Sequence, residues 1–184
     1  MHAQLLAKAA RNHFPIPVQV LEPSDLHRLN AALGWLGLNS PADARLELDA
    51  IAPAQQSHPA VLEARWLLCA HEKTWRDALV VADCEVAATP DECSGWLHRA
   101  YALRRIEGGG IGQAWDALLP AADKFPNEPV VAFNLSCYAC QMDQPDVART
   151  WFQIAIQSGG KDAMKKMALA DDDLKPLWSE IKNL

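Results

Sequence analysis

A chain of 184 residues, 50% hydrophobic and 22% charged, is long enough for one sizeable core and has the composition of a soluble globular protein. Its formal charge of −6 argues against nucleic acid as a partner, because phosphate-backbone binding needs clustered Lys and Arg. The only basic doublets are Arg104-Arg105 and Lys165-Lys166. No apolar run reaches the roughly 18 residues of a membrane span, and an odd count of five cysteines fits reduced thiols and a cytoplasmic location.

The first 13 residues read as a short amphipathic helix with Leu5, Leu6, Ala9 and Ala10 on one side. Phe14 to Pro23 holds three prolines, each of which removes a backbone donor and pushes its predecessor out of helical angles. Residues 1–23 are therefore expected to be a helix and an apolar, extended arm. Ser24 or Asp25 is placed to cap a helix running to Leu38, with Leu26, Leu29, Leu33 and Leu36 at helical spacing. Asn39-Ser40-Pro41 is a turn, and the helix after it carries Ala44, Leu48 and Ile51 before stopping near Pro53.

The same two-helix unit recurs at residues 59–72 with 75–88, at 91–106 with 111–124, and at 129–142 with 145–158. Residues 161–184 follow as capping helices: one near 162–169, then one capped by Asp171-Asp172-Asp173 with Leu174, Leu177, Trp178 and Ile181. The adjacent valines Val80-Val81 and Val130-Val131 fall inside helical periods, so no strand is predicted. The class is all-α, in a single domain.

The units keep a fixed beat. Ala44, Ala78, Ala114 and Ala148 are separated by 34, 36 and 34 residues, and Pro90 and Pro126 each follow their alanine by 12. A recurrence of this length marks a helical repeat array. In the fourth unit, Phe133-Asn134-Leu135-Ser136 is followed by Ala148, Phe152 and Ala155. The third has Trp96, Ala100, Ala114, Leu118, Ala121 and Pro126. The second has Trp75, Ala78, Ala82 and Pro90, and the first Ala32, Trp35, Ala44, Leu48 and Ile51. Over residues 24–160 this pattern resembles the tetratricopeptide repeat (TPR) family. The resemblance implies a right-handed α-α superhelix of about four helix pairs, whose first helices line a concave groove. Most units lack the family's glycine and first-helix tyrosine, and the third turn is two residues longer.

The small residues Ala78, Ala100, Ala114 and Ala148 let paired helices approach closely. No pair buries its face alone, so neighbours must stack and the ends must be capped. Local motifs add no chemistry. Cys137-Tyr138-Ala139-Cys140 lies mid-helix without a second ligand pair, so buried structural cysteine explains it better than metal or redox work. The acidic triplet at 171–173 reads as a helix cap rather than a cation site. Gly108-Gly109-Gly110 has no preceding strand and no Lys-Ser/Thr sequel, and the six histidines lack catalytic spacing. Most of the seven tryptophans fall at packing positions. No enzyme, cofactor or metal is implied.

On the resemblance, the groove would carry Leu29, Leu33 and Leu36; Glu63, Leu67 and His71; Leu97, Tyr101, Arg104 and Arg105; then Val130, Phe133, Cys137 and Gln141. Tyr101 and Phe133 are the expected anchors, and Arg104 and Arg105 add attraction for an acidic ligand. The carboxylate-clamp members of the family use Lys, Asn and Arg at such places; here only Asn134 stands near one, so that function is not carried over. An apolar groove needs an occupant, either the chain's own Phe14–Leu21 arm or a partner segment. The function expected is a scaffold binding a protein or peptide. The alternatives are a chaperone similar to the small TPR chaperones of bacterial secretion systems, a cysteine-based metal or redox protein, or a homodimer joined through its end helices.

Overall fold

The computed structural model describes residues 20–184, so the expected helix at 1–13 and the arm at 14–19 lie outside the described residues. The described residues form ten α-helices and no strand. Four antiparallel pairs run in order: α1 (Pro23–Gly37) with α2 (Pro41–Asp49), α3 (Pro59–Glu72) with α4 (Trp75–Ala88), α5 (Ser94–Arg105) with α6 (Ile111–Lys124), and α7 (Pro129–Gln141) with α8 (Pro145–Gly159). The cap is α9 (Lys161–Leu169), a 3-10 turn at Asp172–Leu177, and α10 (Trp178–Lys182).

Proline starts five of these helices, at Pro23, Pro41, Pro59, Pro129 and Pro145. The first turn of a helix has no use for the missing N–H, and the fixed φ is already helical. This corrects the reading of Pro23 as the end of the arm. Asp25 is not the cap either: it lies buried in the first turn of α1 and its Oδ1 accepts the Ala52 backbone N–H at 3.2 Å. The last helix also differs from expectation. Asp171 does cap, accepting the Asp173 N–H at 3.0 Å, but what it caps is the 3-10 turn, and α10 begins only at Trp178.

The turn inside each pair is built the same way. Asn39, Lys73 and Asp143 hold φ of 59°, 61° and 59°, and Gly108 takes the role in the third unit at φ 78°. The left-handed residue lets the next amide return into the helix just ended. Ser40 donates to the Trp35 carbonyl, Thr74 to Cys69 and Gln144 to Ala139, each at 2.9 Å. In the third unit the two extra residues stretch the closure, and Gly110 donates to the Leu103 carbonyl at 3.0 Å.

Ala44, Ala78, Ala100, Ala114 and Ala148 are completely buried where helices cross, as close ridge-into-groove packing requires. The core is strung along the array in three clusters. One lies around Leu29, Leu48 and Leu68, a second around Trp66, Cys69 and Ala102, and the largest runs from Ala100 through α7 and α8 to Leu174, Leu177 and Ile181. The C-terminal segment is thus part of the core, and its leucines cover α7.

Candidate binding groove

Superposing the first helices of the units on their buried residues Ala32, Trp66, Ala100 and Ser136 places Leu33, Leu67, Tyr101 and Cys137 at one register, separated by 34, 34 and 36 residues. The first three remain 41%, 40% and 38% exposed. Cys137 is buried, because the C-terminal segment lies against it and its S–H faces Asp171 Oδ2 at 3.7 Å. The row is open on α1, α3 and α5 and closed on α7.

Around Tyr101 the row becomes aromatic and cationic. The Trp66 ring of α3 stacks flat on His98 of α5, with centroids 3.8 Å apart and planes 7° apart, and meets Tyr101 edge-on at 5.7 Å. Trp75 lies 5.8 Å from the same tyrosine. The Arg105 guanidinium sits 3.3 Å above the Tyr101 ring and 5.5 Å from Trp75. Burial pushes its pKa down from the ordinary arginine value. Tyr101 is therefore held rigid on one face and open on another, as a hot-spot side chain must be.

Arg104 has a different fate from the one its sequence neighbourhood implied. Both of its terminal nitrogens bind Asp173, Nη2 reaching Oδ1 at 2.9 Å and Nη1 reaching Oδ2. These hydrogen bonds raise its pKa further. The acidic ligand of Arg104 is the protein's own C-terminal segment. Phe133 is also corrected as an anchor. It is 4% exposed and packs on Phe152 at 6.5 Å, so it belongs to the core.

The other expected positions are dispersed. Glu63 is exposed, and Leu97 is half-buried against the large core cluster. His71 Nε2 lies 2.9 Å from Asn39 Oδ1, tying α3 to the first turn. Gln141 donates to the Asp173 carbonyl at 3.3 Å. Cys137, Asp171 and Asp173 offer three ligand atoms within 4.8 Å of one another. These groups already bind each other and Arg104, so a cation would have to displace the guanidinium.

One feature escaped the sequence reading. Where α3 and α5 begin and α4 ends, a cavity of about 270 Å³ is lined by His58, Glu63, Glu85, Thr89, Glu92 and Ser94. Glu85 is 4% exposed, and its Oε2 lies 2.7 Å from His98 Nδ1. The signal was present. Ala78, Ala82 and Glu85 follow helical spacing, so a carboxylate stands on an apolar stripe. Gly95 fixes this junction, since a Cβ there would come within 2.9 Å of Glu85 Cβ and 2.8 Å of the Val86 nitrogen.

Among solved structures the chain is similar to "MamA RS-1 ArsTM double mutant". The TM-score is 0.62 at 16% identity, over 75% of this chain and 77% of that one. The chain is an all-α helical-repeat protein. A second MamA structure, residues 41 to the end from Desulfovibrio magneticus RS-1, is 16% identical over 76% of this chain and 97% of its own. Its TM-score is 0.39. No protein-family profile and no curated protein matches the sequence. Among the described residues no helix is long and apolar enough to cross a membrane.

Proposed function

We propose that this protein is a tetratricopeptide-repeat scaffold, with a binding rather than a catalytic role, that holds a polypeptide segment along the first helices α1, α3 and α5. The observation that carries the reading is the row Leu33, Leu67 and Tyr101. Single exposed apolar residues are ordinary. Three at one register on stacked units make a stripe, and contiguous apolar stripes bordered by polar groups mark interaction surfaces. The 34-residue unit, its left-handed turn residues and its buried alanines support the family resemblance. Tyr101 is the natural anchor, because stacking by Arg105 and the edges of Trp66 and Trp75 leave it little rotamer freedom to lose on binding.

Site-specific photo-crosslinking tests the assignment. A benzophenone side chain at position 67 is compared with one at position 80, where Val80 is exposed on the second helix α4. Crosslinks to another polypeptide are expected from position 67 and not from position 80. Equal yields from the two positions overturn the groove. Crosslinks only to a second copy of the chain replace a foreign partner with a homodimer.

A further inference from the structure

We infer that the partner segment carries a lysine or arginine whose cationic head enters the cavity between α3, α4 and α5. The inference rests on the scaffold reading above and names the partner's chemistry. Three carboxylates, Glu63, Glu85 and Glu92, line the cavity, and no lysine or arginine does among the described residues. Glu63 and Glu92 are exposed and make no ion pair among the described residues. Those two alone would signify little, since exposed carboxylates are ordinary on a protein surface.

Glu85 is different. It lies in the last turn of α4, the end at which a negative charge is disfavoured. It is also buried, and a buried carboxylate needs its oxygens satisfied. Its Oε2 has His98, and its Oε1 is not among the buried atoms left without a partner, so it stands open to the cavity. A carboxylate with one oxygen on His98 and the other open to the cavity is complementary to an incoming N–H cation. Its position is fixed in advance by Gly95 packing on its Cβ, so little ordering remains to oppose binding.

The cavity is continuous with the apolar row. Glu63 and Leu67 are four residues apart on α3, so their side chains stand about 5–6 Å from each other on one face. His98, the Glu85 partner, is the ring on which Trp66 stacks, and Trp66 meets Tyr101. An extended segment advances about 3.3 Å per residue. A basic residue two positions from an apolar one therefore spans the distance from the cavity to Leu67. This assigns the surface a preference opposite to the acidic ligand that Arg104 and Arg105 suggested, since Arg104 is taken by Asp173 and Arg105 by Tyr101.

The test begins with selection of peptides from a random 12-residue display library on the full chain. The best peptide is then titrated calorimetrically beside a copy in which citrulline replaces arginine, or acetyl-lysine replaces lysine. Selected peptides are expected to carry a basic residue two positions from an apolar one. The neutral copy should bind about tenfold more weakly at low salt. Glu85→Gln should remove most of that difference, and Glu63→Gln/Glu92→Gln, at two exposed positions, a smaller part of it. Leu67→Ser should weaken both peptides alike. Peptides that need Leu67 but bind equally with and without the charge overturn the cation pocket and leave the row intact. Failure to select any peptide that needs Leu67 overturns the row and this inference together.

Discussion

Arg104 and Asp173 stand 69 residues apart and meet in a two-point ion pair that fastens α5 to the C-terminal segment. The pair is half-buried, and the Arg104 guanidinium also lies 5.8 Å from the Tyr138 ring. Removing one partner leaves the other buried without its counter-charge, which costs more than the pair contributes by its presence. Arg104→Ala and Asp173→Ala are each expected to lower unfolding stability by about 1–3 kcal/mol. The double variant should lose less than the sum, with a coupling of about 1 kcal/mol or more. Urea midpoints for the four proteins give the cycle. Additive losses would show that the two side chains act separately.

The turn residues give a stabilising prediction. Lys73 sits at φ 61° between α3 and α4, a conformation in which the side chain meets the backbone at a penalty of about 1–2 kcal/mol. Glycine carries no such penalty but loses more backbone entropy on folding. Lys73→Gly should therefore raise stability by about 0.5–1 kcal/mol. Asn39→Gly and Asp143→Gly should gain less, because Asn and Asp tolerate this region. Gly108→Ala should destabilise by about 1 kcal/mol at φ 78°. Thermal unfolding of the four variants ranks them, and a destabilised Lys73→Gly would count against the strain argument.

The pairs and the period were legible because they depend on local spacing. Ala44, Ala78, Ala114 and Ala148 repeat at the interval that the packing of one unit on the next imposes, and the all-α class follows from it. What was illegible depends on distant contacts. Nothing near Arg104 says that Asp173 will reach it. Nothing around Phe133 says that α7 will be roofed by Leu174 and Leu177. A first helix exposed on one face and a first helix covered by a cap have similar apolar spacing, so the spacing does not tell the covered α7 from the open α1, α3 and α5. Glu85 was legible and passed over, since a single carboxylate on an apolar stripe reads as a boundary residue until its neighbours are known.

Cysteine reactivity separates the exposed thiol from the packed ones. Cys84 is exposed on α4, Cys93 is half-buried, and Cys69, Cys137 and Cys140 are buried; all five are free. Burial raises the pKa of Cys69, Cys93, Cys137 and Cys140. At Cys137 the facing Asp171 and Asp173 carboxylates push further in the same direction. The thiolate is the reactive form, so access and pKa act together. A disulfide reagent at pH 8 should label Cys84 rapidly and Cys93 slowly. The other three should react only at the rate of unfolding, and Cys84→Ser should abolish the fast phase. Rapid labelling of Cys137 or Cys140 would contradict the packing of the C-terminal segment.

Tyr138 supplies an alkaline limit to stability. Burial raises its phenol from 10.0 to about 12, outweighing the pull of Arg104 and Arg105 in the other direction. Below pH 10 the phenol is neutral in both the folded and unfolded chain, and its contribution is fully present. Between about pH 10 and pH 12 the unfolded chain ionises first, so stability falls as pH rises through that window. Two units correspond to a loss on the order of 2–3 kcal/mol at the upper end. Tyr138→Phe removes the ionisation while keeping the ring between α7 and its neighbours. Its urea midpoint should fall less steeply from pH 9.5 to 11.5 than that of the unaltered protein. Parallel slopes would mean that Tyr138 ionises freely in the folded chain, and that the roof formed by the C-terminal segment over α7 is more open than its packing implies.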